Sequence, residues 1–297
     1  MSSYQTQQRC SELIGQMQLP DSFQEIVSNI YLPLSRIIMQ QKKGQPLLVS
    51  INGAQGTGKS TMARFIRHII ESEACCHVAD LSLDDFYSVR EKRISLSEDV
   101  HPLLATRGVP GTHDLDLTEQ VIDSLLSRKA CRIPRFNKAI DDRDAESAWT
   151  DCVEPVDVIL FEGWCNNSPA QSPSELERAI NELEEKEDPH GIWRQYVNEK
   201  LTEYKQRLFD QADMCIMLKA PDFECIYEWR SLQEQKLATG SAHLKQNRLM
   251  NKAELKRFIQ HYERISRHTL AHLPDTADVV LPVAADHSIT GIVQKEV

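Results

Sequence analysis

The residues whose types and spacing most directly suggest chemistry are Gly53-Ala54-Gln55-Gly56-Thr57-Gly58-Lys59-Ser60, followed by Thr61. This is the full Walker A spacing. Its glycines let the backbone wrap around phosphate oxygens, while amide N–H groups and the start of the next helix point inward. In such a loop Lys59 reaches the β- and γ-phosphates of ATP, and the Ser60 hydroxyl ligates Mg²⁺. A chance glycine-rich turn is the plain alternative. The context argues against it, because a short β-branched run (Leu47 to Ile51) precedes the loop and a helical pattern from Lys59 to about Ile70 follows.

Two acidic positions complete the pattern. Val158-Ile159-Leu160-Phe161-Glu162-Gly163 is an apolar strand ending in a carboxylate, where Glu162 would hold the magnesium shell or its water. Alone that signal is weak; behind a Walker A it gains weight. Leu81-Ser82-Leu83-Asp84-Asp85-Phe86-Tyr87 places two acids at the end of another strand. A carboxylate there can accept the proton of an attacking hydroxyl, although Asp is also common in strand-end turns.

The elements that must position these residues alternate. Strands are expected at Leu47–Ile51, His77–Leu83, Val156–Phe161, Met214–Leu218 and Asp278–Val283, with helices at Asp116–Leu126, Trp193–Phe209, Asp222–Leu237 and Lys252–Leu273. That order argues for a parallel sheet covered on both faces. Ser22 and Glu25 have capping-box spacing before an apolar helical pattern, and Pro33 should kink or break it. The expected division is a helical extension over 1–45 and one α/β domain over 46–297. Ser172-Pro173-Ser174-Glu175 reads as a further helix start, and the acidic run from Glu182 to Asp188 as the solvated face of an inserted helix.

Composition narrows the partners. The 297 residues carry a formal charge of −10, which argues against general binding to nucleic acid or an anionic membrane. No apolar run approaches the roughly 20 residues of a membrane-spanning helix, and the polar start lacks a signal-peptide pattern. Eight cysteines without paired CxxC spacing read as free thiols, consistent with a reducing cytoplasm. Oligomeric state leaves no mark in the sequence.

Taken together, the segments resemble the P-loop kinases related to uridine kinase, pantothenate kinase and phosphoribulokinase, and most of all the glycerate 3-kinase family. Gly53–Thr61, Ser82–Tyr87, Arg107–Asp114, Pro134–Arg143 and Phe161–Trp164 follow the family's order; Tyr227–Arg230, Gln233-Glu234, Thr239-Gly240, Tyr262–Arg264 and Ala277–Val280 match more loosely. The resemblance implies a P-loop fold with a largely parallel five-stranded sheet and a helical lid. It implies ATP and Mg²⁺ as cofactors and a small hydroxy acid or alcohol as acceptor, D-glycerate first, with a nucleoside or pantothenate-like alcohol behind it. Holding Phe86 in register makes Asp84 rather than Asp85 the general base. The segment 134–143 would line the acceptor pocket with Arg135, Lys138 and Arg143, though Phe136 and Asn137 stand where tyrosine and aspartate are frequent. Arg230 would supply a lid cation. His113 and Asp114 read equally as pocket residues or as a helix N-cap.

Two rival classes share the loop. A regulatory GTPase is disfavoured because Asn137-Lys138 precedes the Glu162 strand and its aspartate, Asp141, comes one residue late. A non-catalytic nucleotide-binding module stays open. His268 and His272 have the spacing of a metal pair, but with no third ligand evident an exposed helix face is the simpler reading. Trp193, Tyr196 and Tyr204 read as core, and Lys245, Arg248 and Lys252 either as part of a mobile lid or as a solvated loop.

Overall fold

The computed structural model describes residues 3–240 and 251–295; Lys245 and Arg248 lie outside the described residues, as do the side chains of Gln233, Glu234 and Thr239. The chain opens with helix α1 (Ser3–Gln16) and a second helical stretch that ends as α2 (Leu32–Gln41). It continues through β1 (Leu47–Gly53), α3 (Lys59–Ala74), β2 (Val78–Ser82), α4 (Leu115–Leu126), β3 (Val158–Gly163) and α5 (Ile192–Tyr204). The last elements are β4 (Met214–Lys219), α6 (Phe223–Gly240), α7 (Lys252–His272), β5 (Val279–Pro282) and β6 (Val293–Gln294).

The strands form one sheet in the order β6-β5-β4-β1-β3-β2. All neighbours are parallel except β5 and β6. The five parallel strands are those read from the sequence; the two-residue β6 makes six, because the chain after β5 turns back and pairs Val293 with Val280. So short a strand carries no apolar period to read.

Alternation along β1 splits the core. Leu47, Val49 and Ile51 face α1, α2 and α3, where they meet Cys10, Ile14, Ile38, Phe65 and Ile66. Leu48 faces the other way with Ile159 and Phe161, against Val121 and Ile122 of α4 and Trp193 and Leu201 of α5. The N-terminal helices therefore share a core with the phosphate-loop helix, and each buried Ile or Leu there contributes about 1.5–3 kcal/mol.

Local details depart from expectation in two places. Ser22 makes no capping hydrogen bond, because the turn begins earlier, with Phe23 N donating to Pro20 O, and leaves Ser22 itself in helical conformation. The acidic run is not a solvated face throughout. Glu184 and Asp188 are buried, each against an arginine: Glu184 with Arg264 at 2.6 Å and Asp188 with Arg194 at 3.1 Å. Removing one partner of such a buried pair costs about 3–5 kcal/mol. Trp193 and Tyr204 are core, as expected, while Tyr196 is half-buried.

Candidate active site

β1 ends at the phosphate loop, and its neighbours β3 and β4 send their connections to opposite faces. A crevice therefore opens at the carboxyl ends of the strands. The loop's geometry depends on its glycines. A Cβ on Gly53 would lie 2.7 Å from Thr57 Oγ1, and Gly56 and Gly58 hold φ of 84° and 90°. Gly58 then leads into α3, placing the helix N-terminus at the loop. Thr57 Oγ1 donates to Ala54 O at 2.8 Å, and Lys59 Nζ donates to the same carbonyl at 3.1 Å.

Ser60 Oγ donates to Glu162 Oε1 at 2.9 Å, and Lys59 Nζ lies 4.0 Å from Glu162 Oε2. The parallel register of β1 and β3 sets this meeting by pairing Ile51 with Glu162. A hydroxyl beside a carboxylate at the foot of a phosphate loop is a hard-oxygen donor set of the kind Mg²⁺ prefers, so the residues present fit the ion the motif implies.

Asp84 and Asp85 follow β2 in a short 3₁₀ turn. Asp84 Oδ2 accepts from Lys138 Nζ at 2.6 Å and Oδ1 accepts from Tyr87 Oη at 2.8 Å. Desolvation in the cleft pushes its pKa up, but the Lys138 ammonium and the two hydrogen bonds outweigh that and hold the carboxyl below its ordinary range. Asp85 behaves oppositely. Burial and the Asp84 charge push its pKa up even though Arg135 Nη1 donates to it at 2.6 Å and Phe136 N at 3.2 Å. Its bonds tie the β2 end to the 134–143 segment, whose own small ribbon pairs Phe136 with Arg143 and Asn137 with Asp142.

Ser60, Glu162, Asp84, Arg135 and Lys138 all line one cleft of about 770 Å³, so five of the sequence-assigned residues meet there, joined by Asp85. Two others stand apart. Arg143 Nη2 donates to Tyr87 O and to Asp114 Oδ2, both at 3.0 Å, which braces the pocket wall from behind. His113 is buried, stacked on Tyr87 with ring centroids 4.5 Å apart, and bonded through Nδ1 to Tyr204 Oη at 2.9 Å. Desolvation drives its pKa down to about 3, so it is neutral at physiological pH. Asp114 caps α4, accepting from Leu117 N. Arg230 sits on α6 over the Phe258 ring at 5.7 Å, next to Trp229, which packs against Gly56.

Several supporting residues carried no assigned role in the sequence reading. Tyr87 orients Asp84. Asn52 Nδ2, at the end of β1, donates to Asn166 O and so fixes the loop after Glu162. Trp164 Nε1 donates to Gly108 O at 2.7 Å and packs edge-on against Tyr262. Tyr87, Trp164 and Tyr262 all lie inside the segments that carried the resemblance, but nothing in their types distinguishes brace from bystander. The eight cysteines are all free thiols; Cys165 is buried, where desolvation pushes its pKa well up.

This sheet order, with a phosphate loop on its central strand and two acids at the adjacent strand ends, defines a P-loop kinase fold. Residues 48–167 match the phosphoribulokinase / uridine kinase family, and the chain contains a domain of that family. Over 232 residues it is 29% identical to the uncharacterized kinase mug58 of Schizosaccharomyces pombe, covering 74% of this chain and 79% of that one. It is 29% identical to the chloroplastic D-glycerate 3-kinase of Arabidopsis thaliana over 195 residues, covering 62% of this chain and 40% of that longer protein. The solved D-glycerate 3-kinase from Cryptococcus neoformans superposes with a TM-score of 0.74 over 90% of this chain and 99% of that one, at 24% identity, which shows the shared fold. The matched segment and the fold place the chain among the P-loop kinases, with a D-glycerate 3-kinase among its relatives. Among the described residues no helix is long and apolar enough to cross a membrane.

Proposed function

We propose that the chain transfers the γ-phosphoryl group of ATP to a hydroxyl of a small hydroxy acid, D-glycerate foremost. The observation that carries this reading is the pairing of Lys138 with Asp84 in the cleft that also holds Ser60 and Glu162. A hydroxy acid presents two groups, a hydroxyl that needs a base and a carboxylate that needs a cation. Lys138 and Asp84 supply both within a single hydrogen bond of each other. A neutral nucleoside has no use for the cation, and the chain's charge of −10 would repel an acid without one.

In this reading Gly53–Thr61 cradles the phosphates, and Lys59 swings from Ala54 O to neutralise the moving phosphoryl group. Ser60 and Glu162 hold Mg²⁺, which when bound offsets phosphate charge. Asp84, kept ionised by Lys138 and aimed by Tyr87, accepts the acceptor's hydroxyl proton. Lys138 passes from Asp84 to the substrate carboxylate, and Arg230 adds a cation from the lid helix. Positioning and charge neutralisation dominate, because the transition state of phosphoryl transfer is loose. Residues 46–297 act as the kinase domain and 1–45 as a helical extension seated on it.

The test is a panel of acceptors offered with ATP, read by acceptor-dependent ADP release and phosphorus NMR of the product. D-glycerate should give the fastest turnover and a phosphate monoester on its hydroxyl. Turnover of uridine in its place would replace the acid reading, turnover of pantothenate would keep an acid acceptor but displace glycerate, and no acceptor-dependent ADP with any of them would make the chain a nucleotide-binding module.

A further inference from the structure

The helix α7 ends beside the segment that follows β3, well away from the phosphate loop in sequence. There Glu175, His268 and His272 converge, each offering one ligand atom, and these atoms all lie within 4.8 Å of one another. The helical spacing of four puts both imidazoles on one side of α7, with ring centroids 4.3 Å apart. The third donor comes from a different part of the chain, which is why it is invisible in the sequence.

We infer that Glu175, His268 and His272 form a zinc site that staples the end of α7 to the inserted segment at 172–176. Two imidazoles and one carboxylate are a recurrent zinc donor set, and at Zn–N of about 2.0–2.1 Å the ligands of a tetrahedral ion stand roughly 3.3–3.5 Å apart. His268 Nδ1 and Glu175 Oε1 are already 3.5 Å apart. His272 is exposed, so its side chain has room to close the remaining distance by rotation.

One donor is also oriented from behind, as ligands in metal sites are. Glu175 belongs to a capping box: its Oε2 accepts from Ser172 N at 2.8 Å and Ser172 Oγ at 2.6 Å, which leaves Oε1 turned toward His268. One residue past His268 along α7, Thr269 Oγ1 donates to Ser168 Oγ at 2.8 Å, in the loop that follows Glu162. An ion held here therefore ties α7 to a segment continuous with the β3 end. Three protein ligands leave a fourth position for water. Imidazole with carboxylate suits zinc, copper or nickel better than magnesium or calcium.

The test uses the full-length protein, stripped with a chelator and kept in excess Mg²⁺ so that Ser60 and Glu162 do not compete. Isothermal titration should show one Zn²⁺ bound per chain, and zinc should raise the Tm. His272→Ala and Glu175→Gln should each weaken zinc binding by at least about a hundredfold, more than the loss of a supporting shell, and remove the rise in Tm. Cys131→Ser and Glu162→Gln should bind zinc as the wild type does. The Co²⁺ derivative should show d–d absorption without a thiolate charge-transfer band. No zinc uptake in the presence of Mg²⁺, uptake unchanged in His272→Ala, or a thiolate spectrum would each overturn the assignment.

Discussion

Lys138 Nζ lies 2.6 Å from Asp84 Oδ2, so the cation assigned to the acceptor and the carboxylate assigned to its proton are partners before any substrate arrives. Asp84 serves as a base only when ionised, and Lys138 is what holds its pKa below the ordinary range against desolvation. Lys138→Met removes the attraction and leaves the desolvation, so the Asp84 pKa rises. The acid limb of the kcat/KM profile should then move to higher pH, and the acceptor KM should rise about tenfold or more as a charged hydrogen bond is lost. A pH–rate profile of the variant checks both, and an unshifted acid limb would uncouple the two residues.

Asp84→Asn should lower kcat by on the order of 10²–10⁴ with the KM for ATP nearly unchanged. Asp85→Asn should cost far less in kcat, because Asp85 is bonded to Arg135 and Phe136 N and braces the ribbon. Steady-state kinetics of both variants decide it; the reverse ranking would move the base by one residue.

Arg143 and Lys138 lie in the same segment, yet the structure separates their roles. Arg143 is mostly buried against Asp114 and Tyr87 O. Arg143→Ala should leave the acceptor KM close to wild type and destabilise the fold by up to about 3 kcal/mol, since it strands a largely buried carboxylate. Denaturant melts beside acceptor kinetics separate this from Lys138→Met.

Lys59→Ala should retain the fold, because Lys59 donates to Ala54 O within its own loop and stands 4.0 Å from Glu162. Its turnover should fall by roughly 10²–10³ or more, the cost of deleting a preorganised charge at the transferring group. Wild-type turnover in a folded Lys59→Ala protein would disprove the phosphate site.

Gly108 has φ of +132°, and a Cβ there would fall 2.1 Å from Tyr262 Oη. Gly108→Ala should destabilise the protein by about 2 kcal/mol or more, from backbone strain and the clash with a packed ring. A urea titration gives the value; a midpoint equal to wild type would mean that the Trp164–Tyr262 packing yields freely.

The parallel strands were legible because each is an apolar run ended by turn residues, and the phosphate loop because its glycines are obligatory at fixed offsets. Glu162 and Asp84 could be read as strand-end acids that the loop makes meaningful. What the sequence withheld was orientation. Nothing in Pro134–Arg143 says that Lys138 turns into the cleft while Arg143 turns behind it; that follows from the tight pairing of Phe136 with Arg143, set by tertiary contacts. Glu184 and Asp188 looked solvated because their partners, Arg264 and Arg194, lie on other elements. Nor does the sequence say that His113 stacks on Tyr87, the residue that bonds Asp84.

Trp229 sits with its Cβ 3.0 Å from where a side chain on Gly56 would begin, its Nε1 donates to Ala285 O at 2.8 Å, and its ring stacks on His287. An indole wedged between the phosphate loop and the C-terminal segment is a native optical reporter. Any rearrangement of Gly56 around a nucleotide must alter the packing and polarity around that ring. Its emission should therefore respond to ATP without a dye or label, and a Trp229→Phe protein supplies the matching blank. Nucleotide affinity can then be followed in stopped flow on the same sample whose turnover is measured, which separates the arrival of ATP from the arrival of the acceptor in time.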